Sequence, residues 1–409
     1  MTADIDLDPN LPGNRVFTTG VIAATGFTGV FNGKGHKIIN LTLNIGGTGL
    51  FESIHRNGQV NNLKIENVSI TNGNNAMYVG GLAGQNIGTI NNCSSTGSII
   101  SGNSTFMIGG LVGSNEYTGG CIMNSFSTCN ITTGSDSYQA GGLVGNNEGV
   151  IANCFSMGNI NGGDYIQEFG GFVGSVYSGS ISYCFSTGSV TGGNWTCHIG
   201  GFAGALGEMS TPDINNCYST GDVNFGDSAG SVGGFIGTCL GHIFHCYSTG
   251  NIKLVIDPPD DIGGFAGYVD FDGSITGCFF LNTAGPDNGF GYPISDFSLK
   301  HEHLWYAYWD DVNFVIVYWD YVNEQTDGLM DIWYHPSDSY PKLFWQAAAG
   351  DGDYNGTINM YDLDLLCSWW LIQQSDIPSN QRLLCDFNFD AIVNFDDFSA
   401  FAENWLIGL

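Results

Sequence analysis

A five-residue pattern, Gly-Gly-(Leu/Phe)-(Ala/Val/Ile)-Gly, recurs seven times, starting at Gly80, Gly109, Gly141, Gly170, Gly200, Gly233 and Gly263. The intervals are 29, 32, 29, 30, 33 and 30 residues, and a period of this length is the signature of one structural unit stacked on the next. A second block follows at a fixed distance, as in Ile90-Asn91-Asn92-Cys93-Ser94-Ser95-Thr96-Gly97 and at residues 181–188, 214–221 and 243–250. A fainter copy at Gly49-Leu50-Phe51 carries the array upstream through Leu63, Ile65, Val68 and Ile70.

A unit of this size can be a helix pair or a turn of short strands. The blocks are rich in Gly, Ser, Thr, Asn and aromatic residues and show no apolar spacing of three or four, which argues against helices. Short strands broken by glycine corners remain, each repeat closing one coil that hydrogen-bonds to the next at about 4.8 Å. About seven to nine such coils give a stack roughly 35 to 45 Å long. The paired glycines are expected to supply positive-φ corners and to let coils approach where a Cβ would intrude. The expected fold is all-β, a right-handed parallel β-helix, followed by a small α-helical C-terminal domain.

Alternation then assigns columns. Cys184, Ser186, Gly188 and Val190 share one parity, Phe185 and Thr187 the other, so one of the two sets faces inward. Stacking in register turns Cys93, Cys154, Cys184, Cys217, Cys246 and Cys278 into one ladder and Phe155, Phe185, Tyr218, Tyr247 and Phe279 into another. Ser125 interrupts the first, which favours inert packing over disulfide or metal chemistry, since in-register stacking gives poor bridging geometry. The aromatic ladder reads as stacked structure, with a sugar-binding platform as the alternative.

The Gly-Gly-Leu-Val-Gly block followed by Ile-x-Asn-Cys-Phe-Ser-x-Gly resembles the GLUG-motif repeat of bacterial surface and secreted β-solenoid proteins, over residues 47–282. Residues 27–38 resemble the coil that precedes such arrays, which makes residues 1–46 a set of N-terminal coils with a truncated start. The resemblance implies attachment, display or substrate contact, and it brings no catalytic residue with it.

Composition narrows the partners. Nine Lys plus Arg against 39 Asp plus Glu leave a net charge of −30, which excludes nucleic acid and anionic membrane surfaces. The 62 glycines suit a corner-rich repeat, and a hydrophobic share of 43% excludes a disordered tract. At 409 residues more than one core is expected. No apolar run is long enough for membrane insertion. Met1-Thr2-Ala3-Asp4 lacks a leader, but residues 3–7 already alternate like a strand, so an exported chain that has lost its leader is expected.

β-Solenoids include polysaccharide lyases and hydrolases, which need paired carboxylates, or an acidic cluster with a base. With nine basic residues a lyase base is hard to place. Asp257, Asp260 and Asp261, and Asp270 with Asp272, read as solvated loop acids. Gly35-His36 and Gly241-His242 stand without acidic partner motifs. His301-Glu302-His303 could set two imidazoles on one strand face for zinc, but no third ligand is evident. Ser-His-Asp, phosphate-loop and dinucleotide signatures are absent from the sequence.

Residues 283–346 are rich in Trp and Tyr, including Trp305, Trp309, Trp319, Trp333 and Trp345. They are expected to cap the open end of the stack, with carbohydrate binding by exposed Trp as the alternative. The stretch from Trp333 to Leu343 is similar to the Trp-x-x-x-x-x-x-Tyr-Pro-x-Leu ending of GLUG proteins. After the linker Ala347-Ala348-Ala349-Gly350 come two twelve-residue acidic loops in residues 350–409. Each precedes a helix-spaced apolar stripe, Leu363, Leu366, Trp370 and Leu371 in one and Phe398, Phe401, Trp405 and Leu406 in the other. The first loop offers Asp351, Asp353, Asn355, Thr357, Asn359 and Asp362, and the second Asp386, Asn388, Asp390, Ile392, Asn394 and Asp397. These are positions 1, 3, 5, 7, 9 and 12, from which a hard Ca2+ ion takes its ligands.

Residues 351–406 resemble a type I dockerin, which carries Asp at position 12 where the ordinary EF-hand has Glu. The resemblance implies docking onto a cohesin-like or other surface protein. Positions 10 and 11, which often contact cohesin in that family, are Met360-Tyr361 and Phe395-Asp396. Cys367 and Cys385 could pair across the module or remain thiols. The expected function is that of a non-catalytic, calcium-binding adhesion or scaffold protein, extracellular or at the cell surface. The alternatives are a carbohydrate-binding accessory protein and a polysaccharide-degrading β-helix enzyme.

Overall fold

The chain divides into two compact units, Met1–Ile294 and Ser295–Leu409. The computed structural model describes the first apart from residues 23–25, 45, 47, 118, 208–211 and 254–260. In the second it describes residues 295–301, 304–309, 314–319, 332–334, 339–343, 346, 360–373, 385, 393–394 and 397–398.

The first unit is a parallel β-solenoid of about nine turns. One coil runs through the strands Gln167–Gly170, Val173–Val176, Ser180–Ser182, Phe185–Ser186 and Val190–Thr191. Each pairs in parallel with its own equivalent one coil on: Gln167 with Cys197, Val173 with Ala203, Ser180 with Asp213, Phe185 with Tyr218 and Val190 with Val223. The array extends upstream as expected, with Phe51–Ile54 paired to Ala83–Asn86. Downstream it outlasts the Gly-Gly pattern. The strand Tyr292–Ile294 still pairs in parallel with Phe279–Leu281, so the stack passes residue 282.

The corners correct one expectation. None of the motif glycines has a positive φ; the left-handed positions belong instead to other residues. Asn92, Asn124, Asn153, Tyr183, Asn216 and His245, each just before the cysteine column, have φ between 49° and 55°, a region that Asn enters at least cost. Tyr78, Met107, Gln139, Glu168, His198 and Ser231, two residues before each Gly pair, form a second set at 53° to 59°. The glycines are there because coils meet at them. A Cβ on Gly204 would stand 2.4 Å from the carbonyl carbon of Glu168, and one on Gly237 2.5 Å from that of His198. The second glycine of the pair faces a serine: a Cβ on Gly201 would lie 2.5 Å from Ser219 Oγ. That serine column donates to the glycine carbonyl of the following coil, Ser95 to Gly110 at 2.7 Å, Ser156 to Gly171 at 2.6 Å and Ser186 to Gly201 at 2.7 Å.

The cysteine parity faces inward. Each thiol donates to the carbonyl two residues earlier, Cys184 to Ser182 at 3.0 Å and Cys154 to Ala152 at 3.1 Å. Ser125 makes the same bond to Met123 at 2.6 Å. The column therefore selects a small donor that satisfies a corner carbonyl, besides filling space. All twelve cysteines are free thiols. Burial pushes Cys93 and Cys239 up to about 12 and Cys129 to about 11. In the core, Phe172, Phe202, Phe235 and Phe265 stack at 4.7 to 4.9 Å. The other aromatic ladder, Phe126, Phe155, Phe185, Tyr218 and Tyr247, stacks at 4.6 to 5.0 Å within 7° of parallel. Ring faces that cover one another in this way are closed to a sugar.

In the second unit, Trp305–Trp309 pairs antiparallel with Phe314–Tyr318, and Trp333–Tyr334 with Lys342–Leu343. Trp319 and Trp333 are fully buried with rings 4.7 Å apart, so these two offer no open sugar platform. Trp345 lies outside the described residues. His301 ends the helix Asp296–His301 and contacts the Phe297 carbonyl at 2.8 Å, which corrects the strand-face reading of that histidine. A Ser-x-x-Ser start favours the helix there, Ser298 N–H donating to Ser295 Oγ at 3.0 Å. Glu302 and His303 lie outside the described residues.

Two measurements test these assignments. In thermal or urea melting of the intact chain, Cys184→Ser should cost less than about 1 kcal/mol because it keeps the donor, and Cys184→Ala about 1–3 kcal/mol; Gly204→Ala should cost at least as much, through backbone overlap. Ellman's reagent at about pH 8 should label exposed Cys367 first and half-buried Cys121 and Cys197 more slowly, with the nine buried thiols reacting only on unfolding.

Candidate functional site

Only part of the calcium-ligand set falls on described residues. Asp351, Asp353, Asn355, Thr357 and Asn359 of the first loop, and Asp386, Asn388, Asp390 and Ile392 of the second, lie outside them. Asp362 occupies the third position of the helix Met360–Ser368.

Asn394 and Asp397 are described, and the fold brings them together. The Asn394 N–H donates to Asp397 Oδ2 at 2.8 Å, and the Phe398 N–H to the Asn394 carbonyl at 3.1 Å. This is a helix start in which Asn394 caps and the residue three on returns a carboxylate to the cap's own N–H. Asp397 is fully buried and Asn394 half-buried. Taking a carboxylate out of water is costly unless donors or a cation meet its charge. Beside it, Val393 shares a small core with Leu366 and Cys385. Its carbonyl accepts from the Leu371 N–H at 2.7 Å, and its N–H donates to the Ile372 carbonyl at 3.1 Å. The end of the second loop is thereby tied to the segment that follows the helix of the first. Cys385 is buried and Cys367 exposed, and the two are not bonded.

The other candidates stay apart. Asp270 Oδ1 accepts from the Phe271 N–H at 2.8 Å, and the Asp270 charge raises the phenol of Tyr268. Asp261 and Asp272 are exposed, and Asp257 and Asp260 lie outside the described residues. His36 Nδ1 is 3.2 Å from Asp4, and His242 Nδ1 is 2.8 Å from Ser274 Oγ. Among the described residues no three His, Cys, Asp or Glu side chains gather as a metal site.

One feature of the solenoid surface escaped the sequence reading. Glu168, Ser175, His198, Ala205, Thr238 and Leu240 line a small hollow on the outer face. Comparison down one column could have found it, because Gln85, Ser114, Asn146, Ser175 and Thr238 all stand in register with Ala205, the one residue there without a polar side chain.

Coils of this period and pairing define a parallel β-solenoid built from Gly-Gly repeats. The GLUG motif matches residues 75–100, 136–161 and 168–191, so the chain carries GLUG repeats. A stretch of 76 residues, 18% of the chain, is 41% identical to halomucin of Haloquadratum walsbyi and spans 1% of that protein. A solved structure of a Bacteroides ovatus protein, provisionally named an immunoglobulin A1 protease, aligns over 75% of this chain and 81% of its own at 17% identity, with a TM-score of 0.41.

The capping geometry yields its own expectation. Asp397→Ala should lower the stability of the C-terminal module by about 1 kcal/mol in chelator, before any metal is added, through loss of the bond to Asn394. Denaturant melting followed by Trp fluorescence reads it.

Proposed function

We propose that the chain is a non-catalytic scaffold or adhesion protein of the cell surface or extracellular space, whose C-terminal module binds calcium and docks onto a cohesin-like or other surface protein. The observation that carries the calcium reading is the buried Asp397 carboxylate turned back on Asn394, which puts loop positions 12 and 9 at one helix start. Each loop concentrates three carboxylates, Asp351, Asp353 and Asp362 in one and Asp386, Asp390 and Asp397 in the other. Their repulsion opposes folding until a cation neutralises it.

The GLUG repeats and the halomucin similarity support placement at or outside the cell surface. The solenoid supports the non-catalytic part of the reading in a specific way. In its recurring polar columns Ser95, Ser156 and Ser186 are engaged with glycine carbonyls, and the Cys184 thiol with a corner carbonyl.

Calorimetric titration of the intact, chelator-treated chain with calcium tests the proposal. Two sites are expected, the first removed by Asp351→Ala with Asp362→Ala and the second by Asp397→Ala. Position 6 of an EF-type loop needs a left-handed residue; Gly356 meets this freely, while Ala391 costs on the order of 1 kcal/mol, so the second site should bind roughly fivefold more weakly and be tightened by Ala391→Gly. Absence of calcium heat, with melting unchanged by chelator, would overturn the calcium reading.

A further inference from the structure

Around Trp195 the outer face of the solenoid departs from its own repeat in two ways. The left-handed corner that carries Asn75, Ser104, Asp136 and Ser228 in other coils carries Tyr165 and Trp195 in two adjacent ones. Both are half exposed, at 52% and 55%, with rings parallel within 5° and centroids 6.3 Å apart. The coil after Trp195 returns to Ser228, so the far face of the indole looks onto a small side chain.

Three residues on from these two in sequence, Glu168 and His198 border the hollow left by Ala205. The hollow holds unmatched polar atoms. Thr238 is only 6% exposed, and its Oγ1 has no hydrogen-bond partner among the described residues. His198 Nδ1 is likewise buried without one. Both atoms are sealed from solvent, so the groups a ligand can reach are the half-buried side chains of Glu168 and His198 at the rim. Three residues of chain span at most about 10 Å, so the aromatic pair and the hollow fall within the reach of a short oligosaccharide.

We propose that this face is a binding site for an uncharged glycan. The apolar face of one sugar stacks on the outer face of Trp195, which Tyr165 backs, and the hydroxyls of the next bond with His198 and Glu168. A net charge of −30 selects against uronate or sulfated chains, which the surface repels. The site differs from both carbohydrate surfaces that the sequence offered, the stacked aromatic ladder and the C-terminal tryptophans, and it does not rest on the calcium reading.

Affinity electrophoresis of the intact chain in chelator tests it, in native gels containing mannan, mixed-linkage β-glucan or hydroxyethyl cellulose, with polygalacturonate as the anionic comparison. Retardation by at least one uncharged polysaccharide is expected. Trp195→Ala should weaken it about tenfold. Ala205→Asn, which gives this coil the side chain that Asn146 carries in the same column, should abolish it by filling the hollow. Glu168→Gln removes the rim charge at constant shape, so it should weaken binding several-fold while the melting temperature holds. The proposal is overturned by unchanged mobility in all three uncharged gels, by retardation that survives both Trp195→Ala and Ala205→Asn, or by retardation in polygalacturonate alone.

Discussion

Everything in the solenoid depends on how closely one coil can approach the next. Parallel pairing in register places every residue against its own equivalent, and at one point the backbone itself must pass. There the left-handed residue of one coil meets the third motif glycine of the following coil at distances no Cβ would survive, 2.4 Å at Gly204 and 2.6 Å at Gly174 for an added atom. The glycines are set by this approach between coils. The turning of the chain is left to Asn, Tyr, His and Gln at positive φ, which pay for the conformation individually and are held in it by the ladders on either side.

In-register stacking also decides which side chains a column can hold. Like meets like, so a column of charges would repel itself along its whole length, whereas a column of rings, amides or thiols can be self-complementary. The buried asparagines show the rule and its limit. Asn86 donates to Asn115 at 2.8 Å and Asn115 to Asn147 at 2.7 Å, after which Asn147 turns to the Gly149 carbonyl at 3.2 Å. The next coil continues the column with Val176, an apolar residue that needs no partner. On the surface a looser ladder passes an acceptor from each coil to the backbone N–H of the next, Asn74 to Asn103, Asp164 to Asn194 and Asn194 to Asp227.

Much of this was legible in the sequence because a strand repeats every two residues and the array every thirty or so. The period sets the register, and the alternation around Cys184 separates two faces, one of which had to be inside. Other features were not legible because they depend on contacts between coils. Nothing local distinguishes a glycine needed for its φ from one needed for the absence of a Cβ. The donor role of the thiols shows only when Cys184 and Ser125 are seen to reach equivalent carbonyls. The strand Tyr292–Ile294 carries no motif, and only its pairing with Phe279–Leu281 reveals it as part of the stack. In the C-terminal loops the acidic spacing names a cation chemistry, but only the pairing of Asn394 with Asp397 has a local signal, a capping residue followed three positions later by a carboxylate.

A repeat protein therefore carries an internal standard against which its exceptions can be judged. A departure that preserves the column's bond, as Ser125 does in the thiol ladder, is structurally silent. So is a departure that exchanges a bonded polar residue for an apolar one, as Val176 does, because no atom is left without a partner. Ala205 is different: it removes a side chain from a polar column and leaves a hollow beside Thr238, one coil on. Stability alone would favour refilling the column. Because each coil interacts only with its neighbours, the cost of keeping such a defect stays local. A solenoid can thus hold a hollow at one chosen coil without weakening the rest of the stack. That is the physical reason to look for ligands where a column fails its own pattern rather than where it repeats.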